Sequence, residues 1–189
     1  KGNGAFYFQF LFLSNWTFAT EKIPQLSQEY FEYENLGSEN KIVQVAASGP
    51  DTKPSIMLST TSAILSAKEK VYIVTPYFIP VETVLNAIKQ VALSGLDVRL
   101  MVPKSGDSLI VNAAAYSYYE ELLENNVRIF FYKKGFIHAK TMVIDDNFSC
   151  VGTANMDVRS QELNFEVNTL VFDKEVNQKL QSGFLGAID

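Results

Sequence analysis

The chain has 189 residues, 47% of them hydrophobic and 20% charged, the balance of an ordinary globular protein with a sizeable core rather than a disordered or fibrous one. A formal net charge of −5 and a pI near 5.0 argue against a reader of nucleic-acid backbones, which usually carries a basic surface, while leaving room for a local basic pocket. The single cysteine, Cys150, excludes an intrachain disulfide framework and points to a reducing compartment; inside Phe148-Ser149-Cys150-Val151 it reads as a buried small hydrophobe, not a reactive thiol.

Taken in chain order, Ala5 to Thr20 (AFYFQFLFLSNWTFAT) reads as an aromatic-rich helix. Its apolar part, Ala5 to Leu13, is far shorter than the roughly 20 residues that span a bilayer. It also lacks the charged start and small-residue cleavage site of a signal peptide, so the chain as given is expected to be soluble. Such a helix either packs on a core or lies in a membrane interface, and the near absence of Lys and Arg favours core packing. Residues 21–40, polar and acidic with Pro24 and Gly37, resemble a linker, with a boundary at Lys41.

Beyond the boundary, strands and helices alternate. Ile42–Ala47 is strand-like and is broken by Ser48-Gly49-Pro50-Asp51. A helix is expected from about Pro54 to Ala67, with Thr52 as its cap. Val71–Thr75 reads as a buried strand ended by Pro76 and Pro80, and Val81–Leu93 as an amphipathic helix stopped by Gly95. Val98–Val102 is a strand, Leu109–Glu124 a longer helix and Val127–Tyr132 another strand. After Gly135, strands over Ile137–Ile144 and Phe148–Gly152 flank a turn at Asp145-Asp146-Asn147. A short helical segment (MDVRSQ), a strand over Asn164–Phe172 and a helix over Glu175–Phe184 close the chain. This alternation predicts an α/β fold with a mixed, mostly parallel sheet and helices on both faces.

The chemistry concentrates in FIHAKTMVIDDNFSCVGTANMDVRSQELNFEVN: His138-x-Lys140, Asp145 five residues on, Gly152-Thr153-x-Asn155, then Glu166. On a strand, His138 and Lys140 would share one face, an imidazole and an ammonium turned together toward negatively charged oxygen. Thr153 and Asn155 add a hydroxyl and an amide that can donate to phosphate oxygens. A phosphodiester is a poor electrophile shielded by anionic oxygens, so its attack needs both charge neutralisation and a good nucleophile. Neutral imidazole is such a nucleophile near physiological pH, and a phosphohistidine divides one hard displacement into two easier ones. Lys140 and Asn155 suit the oxygens that carry charge in the transition state. Glu166 is placed to orient the imidazole, and Asp145 suits bracing a loop or pairing with a cation better than chemistry. One histidine and no cysteine cluster give no metal site, and no cofactor is expected.

These residues resemble the HKD signature of the phospholipase D superfamily, and more closely the second HKD half of bacterial cardiolipin synthases. GTANMDVRSQELNFEVN looks like that family's second motif block. SGPD (48–51), TPYFIP (75–80), ALSGLDVRLMVP (92–103) and GFIHAKTMVIDD (135–146) match it too, while FLSNWTFAT (12–20) looks like the end of the family's first half. The resemblance implies a phospholipase D-like half-domain over 41–189, preceded by the tail of another half-domain plus linker over 1–40. It also implies a phosphatidyltransferase that makes cardiolipin and glycerol from two phosphatidylglycerol molecules through a phosphatidyl-histidine. The family's nucleophile or acid histidine falls on His138, its phosphate-binding lysine on Lys140, its HKD aspartate on Asp145, its phosphate-binding asparagine on Asn155 and its histidine-orienting glutamate on Glu166. Gly-Thr at 152–153 replaces the superfamily's commoner Gly-Ser and keeps the hydroxyl.

Two departures matter. The family has two HKD motifs and N-terminal membrane helices; this sequence has one motif and none of those helices. While one histidine attacks phosphorus, the departing alkoxide needs a proton from the opposite side, and His138 is the only histidine. The expected partners are therefore a second HKD half-domain or a homodimer mate, a phospholipid such as phosphatidylglycerol, and a membrane surface reached through the full-length protein, with no nucleic acid. The parent is expected at the cytoplasmic side of a bacterial cell membrane, and the chain itself is read as a fragment. Rival readings are a dimeric nuclease or phospholipase of the same superfamily and a non-enzymatic phosphate or lipid-headgroup module. TPYFIP leaves Tyr77 and Phe78 open between cleft and core, with core favoured, and Asp107 and Tyr116, Tyr118 and Tyr119 share that ambiguity.

Overall fold

The computed structural model describes residues 4–25, 27–32 and 41–188. They fall into two compact units, Lys1–Val43 and Gln44–Asp189. In the first, α1 (Gly4–Thr20) is the expected helix, and a 3₁₀ turn follows at Gln28–Phe31. The expectation that α1 packs on a core is not met within its unit. It buries only Leu13, packs Phe6 on Phe31 at 4.9 Å between ring centroids, and leaves Phe10, Phe12, Trp16 and Phe18 at least half exposed. The physical reason is the distribution of its aromatics, which occupy every side of the helix instead of one stripe. Gly37 and the composition change approaching Lys41 lie outside the described residues. No described helix is long and apolar enough to cross a membrane.

The second unit is an α/β layer structure around β1 (Ile42–Ser48), β2 (Lys70–Val74), β4 (Asp97–Pro103), β5 (Arg128–Tyr132), β6 (Thr141–Ile144), β7 (Phe148–Gly152) and β9 (Glu166–Phe172). These make a seven-stranded sheet in the order β1-β9-β7-β6-β2-β4-β5. The sheet is mixed as expected, but the balance of directions differs: β9–β7, β7–β6 and β6–β2 are antiparallel, while β2–β4 and β4–β5 are parallel. Tight connections such as the Asp145-Asp146-Asn147 turn force antiparallel neighbours, whereas parallel pairs need the helical crossovers found earlier in the chain.

Alternation along β2 decides which helices lie where. Val71 and Ile73 face one side with Val98, Leu100 and Leu122, where α2 (Ser55–Leu65), α3 (Glu82–Leu93) and α4 (Leu109–Glu124) supply the cover. Tyr72 and Val74 face the other, against Phe184 of α5 (Lys174–Ile188). Helices therefore cover both faces. Gly95, at φ +92°, ends α3 in the left-handed region where a side chain would be strained.

Three local expectations change. Thr52 does not cap α2; its hydroxyl closes on Gly49, and Ser48 Oγ accepts from Ile56 N at 3.0 Å instead. The segment expected as a helix at MDVRSQ is β8 (Met156–Asp157) followed by a π-helical turn, Arg159–Leu163. β8 pairs in parallel with β3 (Phe78–Ile79), Phe78 opposite Met156. Finally, the strand expected from Ile137 begins only at Thr141. Val74 and Val151 are the partners of Thr141, so β2 and β7 both run out there, and His138 and Lys140 lie in a non-strand lead-in.

Candidate active site

The site lies at the end of the sheet where β6 begins and β7 ends. Gly135, at φ +123°, turns the chain into the lead-in 136–140, and Gly152 N donates to Lys140 O at 3.2 Å as the last backbone link before it. His138 is exposed, and its imidazole makes no hydrogen bond among the described residues. It stacks on Phe136 at 5.8 Å between centroids and 29° between planes; Phe136 in turn contacts Tyr77 at 6.2 Å. The Tyr77 hydroxyl donates to Asp107 Oδ2 at 2.6 Å, and that bond, with burial and the charges of Asp107 and Asp157, raises the phenol above its ordinary pKa. Tyr77 is thus a cleft residue, whereas its neighbour Phe78 is fully buried against Tyr118. Tyr116 and Tyr119 pack with Phe131 beside β5, away from the cleft.

Lys140 is half-buried and does not share a strand face with His138; its Nζ reaches back to His138 O at 2.8 Å. Burial pushes the Lys140 ammonium below its ordinary pKa, and the carboxylates of Glu166 and Asp157 pull the other way. Lys140 therefore feels the charges of both Glu166 and Asp157. Glu166, however, is held by Thr153 Oγ1 and by Asn164 Nδ2, the latter at 3.2 Å, instead of by the imidazole. Thr153 is further locked to β9: its hydroxyl accepts from Val167 N at 2.9 Å. The close approach of β9 also explains Gly152, where an added Cβ would sit 2.0 Å from Asn168 Oδ1 and 2.6 Å from Val167 O.

Asn155 donates to Ser160 Oγ at 3.2 Å. Thr75 ties its loop to β3, because Thr75 Oγ1 accepts from Met156 N at 3.1 Å and donates to Tyr77 O at 2.9 Å. A cavity of about 470 Å³ opens beside Asn155 and is walled by Tyr77, Asp107, Asp157, Arg159, Ser160 and Asn164, among others. Asp157, Arg159, Ser160 and Asn164 were not singled out by sequence reasoning. Their only signal was membership of the GTANMDVRSQELN block, because the π-helical turn that gathers them has no periodicity to read.

Asp145 is not brought to this place. It sits at the far end of β6, roughly 16 Å along the strand by the usual rise per residue. Its carboxylate accepts from the backbone N–H groups of Lys68 (3.0 Å), Glu69 (2.9 Å) and Lys70 (3.1 Å). Cys150 is buried, which pushes its thiol up to about 12. Among the described residues, no group of three or more His, Cys, Asp or Glu side chains is arranged to hold a metal ion.

Residues 60–187 match the family model described as cardiolipin synthase, PLD-like domain. The chain belongs to that family. It is 42% identical over 190 residues to a cardiolipin synthase of Geobacillus sp. (strain WCH70), covering 98% of this chain and 37% of that protein. The chain thus spans 37–38% of the length of the curated relatives it matches. Among solved structures it resembles Nuc, a phospholipase D family member from Salmonella typhimurium, with a TM-score of 0.67, 19% identity, and coverage of 78% of this chain and 94% of that one. It also resembles phosphatidylserine synthase from Haemophilus influenzae Rd KW20, with a TM-score of 0.59, 18% identity, and coverage of 75% and 36%. Those two likenesses establish the phospholipase D-type fold.

Proposed function

We propose that this chain of a phosphatidyltransferase family supplies one of two half-sites that join two phosphatidylglycerol molecules into cardiolipin with release of glycerol. The observation that carries the reading is the imidazole of His138, exposed and free of hydrogen bonds among the described residues, beside a half-buried lysine. In this reading, the imidazole nitrogen attacks phosphorus of the donor lipid, the P–O bond to glycerol breaks, and a phosphohistidine forms. The hydroxyl of a second phosphatidylglycerol then attacks phosphorus, gives its proton to the group of the opposite half-site that protonated glycerol in the first step, and the N–P bond breaks to free the imidazole. Lys140 and Asn155 hold the phosphoryl oxygens as charge develops on them. Thr153 fixes Glu166 next to Lys140, so both act through electrostatics around the phosphate. Asp145 braces the fold and touches no reacting atom.

The glycerol alkoxide needs a proton on the face opposite the attacking nitrogen, and a single imidazole cannot occupy both faces. A second half-site must therefore complete the centre, from another region of a longer protein or from a second copy of this chain. The share of the relatives' length that the chain covers supports the first source. Residues 1–40 then read as the tail of the preceding half-domain plus its linker. Lipid substrates place the work at a membrane surface, in the parent at the cytoplasmic side. The test is an assay of the complete gene product with phosphatidylglycerol vesicles and, separately, with DNA. Cardiolipin formation that is lost in His138→Ala is expected; DNA cleavage without lipid turnover would overturn the reading.

A further inference from the structure

The cavity beside Asn155 offers hydrogen-bonding capacity that the protein does not use internally. Asp107 spends Oδ2 on the Tyr77 hydroxyl, and Asp157 spends Oδ1 on Ser160 N at 2.7 Å. The second oxygen of each carboxylate has no partner among the described residues, and neither does the Arg159 guanidinium, the only cation in the wall. Asn155 and Asn164 spend their amide nitrogens on Ser160 and Glu166, while the buried Asn155 Oδ1 also lacks a partner among the described residues. The cavity therefore presents two carboxylate acceptors and one bidentate donor. Carboxylates suit hydroxyl groups and repel a doubly charged phosphate monoester more than a singly charged phosphodiester, which a single guanidinium can neutralise. The volume, about 470 Å³, is in the usual range for a small-molecule pocket. Its wall continues to the chemistry, since Asp157 lies within the electrostatic reach of Lys140 and Tyr77 meets Phe136 at a tilt, which in turn stacks on His138.

We propose that this cavity is the acceptor subsite, which binds a polyol attached to a phosphodiester: hydroxyls on the free oxygens of Asp107 and Asp157, and the phosphodiester on Arg159. The inference rests on the transferase reading above and adds what chooses the second substrate over water. Water cannot bridge the two carboxylates and the guanidinium at once, so the same subsite sets the ratio of transfer to hydrolysis.

The experiment uses the complete gene product with phosphatidylglycerol vesicles and free glycerol as competing acceptors against water, the phosphatidyl group and the free glycerol carrying different labels. Doubly labelled phosphatidylglycerol reports transfer to glycerol, cardiolipin reports transfer to phosphatidylglycerol, and phosphatidic acid reports hydrolysis. Arg159→Gln is expected to lower transfer to phosphatidylglycerol relative to free glycerol by about tenfold, because only the first carries a phosphodiester. Arg159→Lys is expected to recover part of that loss. Asp107→Asn is expected to lower transfer to both polyols relative to hydrolysis, again by about tenfold. Arg159 and Asp107 are both exposed, and unchanged melting of each variant separates a binding defect from misfolding. Ratios within twofold of wild type in both variants, with wild type transferring normally, would overturn the subsite alone. A wild type that transfers to neither polyol would overturn the transferase reading and the subsite with it.

Discussion

The four-residue strand β6 has an unsatisfied end and a saturated one, and both belong to a single sequence motif. At its start, His138 and Lys140 precede the strand where both neighbouring strands have run out, and the imidazole finds no hydrogen bond among the described residues. At its finish, Asp145 accepts three backbone N–H groups from the end of the α2–β2 loop and the first residue of β2. One step further across the sheet, Asp97 is bonded by Arg99, Arg128 and Tyr72. A His-x-Lys-x4-Asp spacing thus does not report a shared site. It reports a strand whose two ends differ: one carries an exposed imidazole without a hydrogen bond among the described residues, the other ties β6 to the backbone ahead of β2.

The comparison is most sharply tested by truncating both ends. Lys140→Ala is expected to lower transfer by about 10²- to 10³-fold, as when a donor to a developing oxyanion is lost, with little change in melting. Asp145→Ala is expected to do the reverse, costing about 3 kcal/mol in urea denaturation by leaving three backbone donors without their carboxylate, while each molecule that remains folded stays active. Activity lost in both variants at unchanged stability would break the division.

The open end still depends on close packing behind it. Gly152→Ala puts a methyl group against Val167 O and Asn168, so about 2 kcal/mol of destabilisation is expected. Gly49→Ala meets the side chain of Phe165 and no backbone atom, and should cost less; equal losses at the two glycines would contradict this.

The smallest effect concerns acid. Asp97 is held at about 2, because hydrogen bonds from Arg99, Arg128 and Tyr72 outweigh the desolvation that alone would raise it. A carboxylate depressed in the folded state adds stability that is complete above its unfolded pKa, near 4, and is lost as pH falls through about 2. With its side chain 27% exposed, the contribution is about 1–2 kcal/mol, so wild type should lose that much more stability than Asp97→Asn between pH 4 and pH 2. Equal slopes would remove Asp97 from the saturated end.

Much of this frame was legible in the residues. Val71, Tyr72, Ile73 and Val74 could be read as a doubly buried strand, α3 by its stripe, and α4 to the residue. What could not be read depended on partners distant in sequence. Two-residue β3 and β8 carry no period of their own and exist only because Phe78 meets Met156. The start of β6 is set by the ends of β2 and β7, so His138 and Lys140 could not be placed on a common strand face from their spacing. The side chains of the candidate site were chosen by chemistry and by resemblance, and the structure brings Lys140, Glu166, Asn155 and Thr153 to one end of the sheet while leaving Asp145 at the other. The spacing points Glu166 at the imidazole, and its hydrogen bonds in this structure run to Thr153 and Asn164. The cavity wall at Asp157 and Arg159 has no readable period, because a π-helical turn forms it.

The most direct test of the open end is covalent. The complete gene product, quenched during turnover with phosphatidylglycerol labelled in its phosphatidyl group, is expected to carry label on the peptide containing His138, stable to alkali and labile to acid as a phosphoramidate is. Label confined to any other residue would contradict the assignment of His138 as the group that attacks phosphorus.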